Sequence, residues 1–404
     1  MTAPVCGTEG LLSIRLTLEA GRIAAVDVGS TRPLGVARIF LGKSVGEVLA
    51  TLPLLYSVCA TAQAAAAVAA VEAALYIHPS EPQRRAREAM LLAETAREHL
   101  VRCLLGWGAW LGERPDPRAL ALTGRLRGEL ATALYPESDG FRPGGGRLLP
   151  NQVQLAKVLD SLELVLTGVV LGVPSQTWLE IGDATGLAAW AAEGRSMGAR
   201  TLAQVATLGW SDLASSAVPP LGETTAEELE HLLTGPAADT FISQPTWDGQ
   251  PRETGALARE IHRPLIADLN RHQGNGLLTR LTARLSELAA LPGRIATAVE
   301  GLEPDTAPSL APSDGRGAGI GQVEAARGRL VHRVEIESGM IRGYRILAPT
   351  EWNFHPHGVL ARGLEGLPVG SDLSALVALI VEAVDPCVGY QIETTPRPAT
   401  APAS

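Results

Sequence analysis

Two short stretches at opposite ends of this 404-residue chain share one pattern: Leu18-Glu19-Ala20-Gly21-Arg22-Ile23 and Ile336-Glu337-Ser338-Gly339-Met340-Ile341. Each runs from an apolar residue and an acid, through a small residue and a glycine, back to an apolar residue. The flanks alternate, with Ile14, Leu16 and Leu18 before the first turn and Leu330 to Leu347 around the second. A spacing of two broken by such a turn predicts a β-hairpin. Between the hairpins the long patterns are helical. Sheet-forming segments confined to the two ends must find each other or stay exposed, so we expect the hairpins to join in one small antiparallel sheet. The fold class is α+β, mainly α: a long helical bundle with a small antiparallel sheet formed by N-terminal and C-terminal hairpins.

Helix starts are marked in several places. Ser44 opens a helical pattern to Leu55, and an alanine-rich run from Ala60 to Ile77 reads as a buried core helix. Ser80-Glu81-Pro82-Gln83 combines a cap serine, a first-turn proline and a glutamine able to close a capping box, opening a helix to about Leu111. Asp116–Leu134, Asn151–Leu171, Glu180–Ala206, Glu253–Arg271 and Gly276–Val299 follow as helices. Arg280, Arg284 and Arg294 on the last read as a solvated face. Thr225-Ala226-Glu227-Glu228 is another capping box. Phe141–Arg147 is glycine-rich but lacks the lysine of a phosphate loop, so it reads as a flexible connection.

Aromatics make up 4% of the residues while 46% are hydrophobic, which favours helices packed closely through small side chains. A net charge of −9 argues against nucleic acid as a partner, because an acidic surface gains nothing from counterion release. The four cysteines include no Cys-x-x-Cys pair, so a zinc ribbon or thioredoxin-type site is excluded and no disulfide framework is expected. No basic segment followed by an apolar core opens the chain, and a cytoplasmic protein with free thiols is the expectation.

Apolar residues at Leu373, Leu376, Val377, Ile380, Val381 and Val384 give a buried helix that Ser371 can cap. Pro386 should stop it. Cys387 then stands just past a rigid end, as a metal ligand, a nucleophile or a small buried hydrophobe. Cys103, among Leu100, Leu104 and Trp107, reads as core. His355 and His357 form a His-x-His pair that reads as exposed more readily than as a metal site. Cys6 is a possible further thiol.

Several stretches together resemble the large subunit of nickel–iron hydrogenases. They are Glu324-Ala325-Ala326-Arg327-Gly328, Leu330-Val331-His332, Ala348-Pro349-Thr350-Glu351-Trp352-Asn353 and Asp385-Pro386-Cys387. Upstream, Gly255-Ala256-Leu257-Ala258-Arg259 is similar to the family's Gly-Pro-Leu-Ala-Arg element, and Thr8-Glu9-Gly10-Leu11 to its Val-Glu-Gly-His. The resemblance spans nearly the whole chain. It implies a single domain over 1–393, with 303–321 a flexible internal loop and 394–404 a disordered tail.

The departures narrow the reading. The family binds nickel through two Cys-x-x-Cys motifs, each followed by a histidine. Here they read Tyr56-Ser57-Val58-Cys59 with Gln63 at the histidine position, and Cys387-Val388-Gly389-Tyr390 with Glu393 there. Phenols do not replace thiolates at a soft metal site, since they ionise only near pH ~10. The resemblance is therefore to hydrogenase accessory proteins of the HupK/HoxV type, not to a working enzyme, and no catalytic residue is expected. It implies a scaffold for the Fe(CN)2CO fragment without nickel, with Cys59 and Cys387 on the iron and Arg327, Pro349 and Thr350 beside its cyanides. Glu9 matches the family's proton-relaying glutamate. The partners implied are HypC-like and HypD-like maturation chaperones and the apo large subunit. The other reading is a metal-free pseudo-hydrogenase that recruits chaperones or protects the apo subunit.

Overall fold

The computed structural model describes residues 10–31, 35–306 and 315–396. Both hairpins form as the alternation predicts. The first pairs β1 (Leu11–Glu19) with β2 (Arg22–Ser30), and its turn places Ala20 and Gly21 at φ of 48° and 73°. Two successive positive φ values define the turn that suits the right-handed twist of hairpin strands. Leu12, Ile14 and Leu16 are buried and their neighbours are not.

The helices follow their caps. Ser44 closes a full capping box on α1 (Val45–Leu55). α2 (Ala60–Leu75) is buried nearly all round. Ser80 caps α3 (Glu81–Val101), but the Gln83 side chain does not complete the box: it bonds Gly146 and Tyr135 instead. α3 continues through a wider turn at Arg102–Trp107. α4 (Pro117–Leu134), capped by Asp116, and α5 (Gln152–Val165), capped by Asn151, complete the front half. The expected helix Glu180–Ala206 is broken into α6 (Ala184–Ala192) and α7 (Met197–Thr207), each with its own cap, Asp183 and Ser196. Glu253–Arg271 is likewise two pieces, α8 (Ala256–Glu260) and α9 (Pro264–Gln273), with Pro264 in the first turn of the second, where its missing N–H costs nothing. α10 (Leu277–Val299) is the central helix and packs on α3.

The second hairpin pairs β4 (Gly328–Glu337) with β5 (Met340–Leu347), and β3 (Arg316–Ala325) adds to β4 on the other side. α11 (Pro349–Asn353), α12 (Leu373–Val384) and β6 (Gly389–Pro396) end the described chain. The hairpins do not share a sheet. The first sheet runs β2-β1-β6, and the second runs β3-β4-β5. The chain ends still meet, because β6 lies parallel to β1, with Leu11 opposite Gly389 and Leu12 opposite Tyr390. The second hairpin also packs on the front of the chain: Val334, Ile336, Ile341 and Tyr344 share a core with Phe40, Val48, Leu52 and Tyr56, and Ile341 N–H donates to the Lys43 carbonyl.

The stretch 303–321 is not all loop. Asp305–Thr306 pairs with Arg147–Leu148, and residues 316–321 are strand; 307–314 lie outside the described residues. The reason for the strand is its glycines. Gly317, Gly319 and Gly321 all face α2, and a Cβ on them would stand 2.1 to 2.3 Å from the carbonyl oxygens of Ala74, Ala70 and Ala66. Those alanines are one helical turn apart, so a glycine every second strand residue meets an alanine every fourth helical residue. Backbone packs on backbone there. Residues 394–396 belong to β6 and are not a tail; 397–404 lie outside the described residues.

Phe141–Arg147 is tied down. Arg87 donates to the carbonyls of Gly140 and Arg142, and Gly144 N–H donates to Glu72. α12 is not capped by Ser371: its first-turn neighbour is Asp372, which makes no side-chain cap bond. It ends as Pro386 requires, with Asp385 in the left-handed region at φ 68°.

Candidate functional site

Four separate elements deliver side chains to one point. Cys59 precedes the first turn of α2, Arg327 sits in the turn between β3 and β4, Thr350 lies in α11, and Cys387 follows α12. These four and Pro349 line one cavity of about 30 Å³, together with Gln63, Glu94 and Glu98. That volume is room for about two waters.

The Arg327 turn is built by its neighbours. Arg259 donates to the carbonyls of Ala325 and Ala326 and pairs with Glu287. Asn353 Nδ2 donates to the Arg327 carbonyl at 3.0 Å, and its Oδ1 accepts from Thr254 N–H at 2.8 Å. Thr254 Oγ1 in turn accepts from Arg329 N–H. Gly328, at φ 125°, is needed because a Cβ there would stand 2.3 Å from Thr254 Cγ2. The Gly255–Arg259 stretch and Asn353 are thus the frame on which Arg327 is mounted.

Behind the cavity lies a buried charge cluster. Arg327 pairs with Glu98 at 3.1 Å and lies 3.5 Å from Asp385. Asp385 also receives Arg102 at 2.7 Å and lies 3.6 Å from Arg284. Burial alone would raise the Asp385 pKa, but Arg327, Arg102 and Arg284 outweigh it and hold the carboxyl well below its usual range. Burial would lower the Arg327 pKa, and Asp385 and Glu98 outweigh it in the same way. The cavity therefore faces a permanently charged guanidinium.

Arg280 and Arg284 do not form a solvated face. Both are buried: Arg280 pairs with Glu253 at 2.9 Å, and Arg284 donates to the carbonyls of Glu382 and Ala383 at the end of α12. Arg294 remains partly exposed. A second cavity of about 20 Å³, lined by His99, Arg284, Arg327 and Asp385 among others, adjoins this cluster. Arg284 Nε and Nη1, Arg327 Nε, His99 Nδ1 and Asp385 Oδ2 meet no hydrogen-bond partner among the described residues. His99 Nε2 donates to Glu287, which leaves Nδ1 of the neutral ring as an acceptor. Donors and acceptors are thus mixed, the arrangement that an ordered water satisfies.

The two thiols differ. Cys59 has its pKa pushed up to about 12, chiefly by burial, with Cys387 and Glu94 adding to the effect and Arg327 opposing it. Its sulfur lies 3.8 Å from Gln63 Nε2. Cys387 Sγ and Thr350 Oγ1 are 2.9 Å apart, a hydrogen bond that either can donate. Glu94 accepts from the N–H groups of Thr61 and Ala62 at the start of α2 and pairs with Arg127. Tyr56 is buried in the core that also holds Phe40 and Tyr344. Burial and Glu382 raise the Tyr390 pKa, so its phenol keeps its proton at neutral pH.

Among the described residues, no group of three or more His, Cys, Asp or Glu is arranged to hold a bare metal ion. Two thiols can complete the shell of a metal that brings its own ligands. A guanidinium and a hydroxyl beside them suit ligands with partly negative ends. The donor set therefore fits a pre-ligated fragment better than a naked cation.

Cys59, Cys387, Arg327, Pro349 and Thr350 all line the first cavity. Glu9 and Cys6 lie outside the described residues. His355 is buried, not exposed, and its Nδ1 accepts from His357 N–H. Cys103 is fully buried in the main core. The sequence reading missed Gln63 as a contact of Cys59, and missed Glu94, Glu98, Arg102 and Arg284 altogether as parts of the site. Glu94 and Glu98 stand four apart on the apolar side of α3, and a charge at such a position was the available signal.

The architecture and this site define a large-subunit-like protein of the hydrogenase kind. Residues 194–389 match the family described as nickel-dependent hydrogenase. The fold is shared with the Ni-Fe-Se hydrogenase of Desulfomicrobium baculatum, at a TM-score of 0.69 and 15% identity over 92% of this chain and 95% of that one. Among curated relatives, the hydrogenase expression/formation protein HupV of Azotobacter chroococcum mcd 1 is 31% identical over 95% of this chain and 98% of its own length. HupK of Rhizobium leguminosarum bv. viciae, a protein of the same description, is 33% identical over 95% and 96%. The chain belongs to the family of HupV- and HupK-type hydrogenase expression/formation proteins, and its role is that of a hydrogenase maturation accessory protein. No helix among the described residues is long and apolar enough to cross a membrane.

Proposed function

We propose that the chain is a non-catalytic scaffold that holds the Fe(CN)2CO fragment of the nickel–iron cofactor before it passes to the large subunit. Cys59 and Cys387 are its iron ligands. Arg327 and Thr350 donate to the cyanides, and Pro349 packs beside them. The observation that carries the reading is the cavity in which both thiols, the guanidinium and the hydroxyl converge. Nickel has no place in this reading, since the remaining motif positions are Tyr56 and Tyr390, and a protonated phenol is a poor ligand for it. Glu9 is the remaining candidate for proton transfer when the thiols ionise. The chain through β6 acts as one unit, with HypC-like and HypD-like chaperones and the apo large subunit as partners.

Loading brings the metal and its diatomic ligands between the two thiols, the guanidinium and the hydroxyl that line the cavity. It also requires each thiol to lose its proton, which weakens the grip until the fragment is in place and makes release easier than from a closed four-sulfur site.

Infrared spectroscopy of protein purified anaerobically from cells with an intact maturation system tests this. Cyanide and carbonyl bands that disappear in Cys59→Ala and in Cys387→Ala are the expected result. Protein without such bands, still copurifying with chaperones or apo large subunit, would instead be the metal-free pseudo-hydrogenase.

A further inference from the structure

Gln63 lies one helical turn beyond Cys59 on α2 and is 1% exposed. Its Nε2 reaches the Cys59 sulfur at 3.8 Å, and its Oε1 meets no partner among the described residues. A buried amide whose one partner is a sulfur is a costly group to keep, because half its hydrogen-bonding capacity goes unmet. The rest of this face of α2 is alanine, and an apolar side chain would pack there without that cost. The amide is worth its cost where the sulfur carries negative charge. An N–H bond to a thiolate is charge-assisted and stronger than one to a thiol.

We propose that Gln63 is a positioning residue that donates a hydrogen bond to the Cys59 sulfur when the iron fragment is bound, and so sets how much electron density that sulfur gives the metal. The proposal rests on the scaffold reading above. Outer-shell donors of this kind orient ligands and tune the metal they hold. The direction follows from charge flow. The N–H bond draws density from the sulfur, so less reaches iron and less passes from iron into the antibonding orbitals of the carbonyl. The carbonyl stretch then stands at higher wavenumber with the donor than without it.

The test compares infrared spectra of wild type, Gln63→Glu and Gln63→Leu, all purified anaerobically from cells with the maturation system. Gln63→Glu keeps the size and shape of the side chain, and Gln63→Leu removes its polarity. The expected result is a carbonyl band at lower wavenumber in both variants, with the cyanide bands retained. Bands present but unmoved in Gln63→Leu overturn the proposal while leaving the scaffold intact. A shift in Gln63→Glu alone is the field of the new charge and overturns it too. No bands in wild type defeats the scaffold reading, and this proposal with it.

Discussion

Replacing Gly321 by alanine adds one methyl group at the contact between β3 and α2. The new Cβ would stand 2.1 Å from the Ala66 carbonyl oxygen and 2.4 Å from Ala70 N. Real contacts of this kind are hardly ever under 3.0 Å, so helix and strand must part by about 0.9 Å, taken as 3.0 less 2.1. The atoms that must yield are backbone, not the end of a flexible side chain. Overpacking a core in this way costs ~1–3 kcal/mol, and the upper half of that range is expected because no rotamer change can relieve it. Gly128→Ala is the matched control. It lies on an exposed face of α4 with nothing within 4 Å of the added methyl, and should stabilise by ~0.5–1 kcal/mol through helix propensity. Urea unfolding of both variants reads the two signs in one assay. A Gly321→Ala protein with a midpoint at or above that of wild type would refute the close-contact argument.

Two further outcomes follow from buried charge and buried thiol. Arg280→Leu leaves Glu253 buried without its partner and should cost ~3–5 kcal/mol by urea unfolding, whereas a residue on a solvated face would cost almost nothing. The Cys59 pKa is raised to about 12 from an ordinary value near ~8.5, so its neutral form favours folding. That contribution is complete below about pH 8.5 and is lost as pH climbs toward 12. Iodoacetamide at pH ~8 should accordingly label Cys59 far more slowly in native than in unfolded protein, read by peptide mass spectrometry, and equal rates would contradict it.

The sequence made legible what depends on local chemistry. Ser44, Asp116, Asn151 and Thr225 each cap the helix that their neighbours announce. Both hairpin turns and the stop at Pro386 are set within a few residues. The convergence of Cys59, Arg327, Thr350 and Cys387 was legible only through motif resemblance, since no local pattern links residues so far apart. Strand pairing between the chain ends was not legible. The residues that become β6 are polar and half-exposed, and they join β1 through backbone bonds to which side chains give little clue. The misreading of Arg280 and Arg284 has a related cause. A charged residue in a helix is usually solvated, and only the arrival of Glu253 and Asp385 from elsewhere in the chain makes burial affordable.

The glycine stripe of β3 gives the two thiols unequal mechanical standing. Cys59 starts the helix that the stripe clamps, and Arg327 follows the strand that carries it, so these two are fixed to each other as parts of one anvil. Cys387 stands instead where the chain leaves Asp385 for β6, an edge strand with β1 as its sole neighbour in the sheet. Arg327 and Arg102 both reach Asp385, and Arg102 also donates to the Pro386 carbonyl, so the second thiol is held to the same frame through buried charge and not through backbone packing.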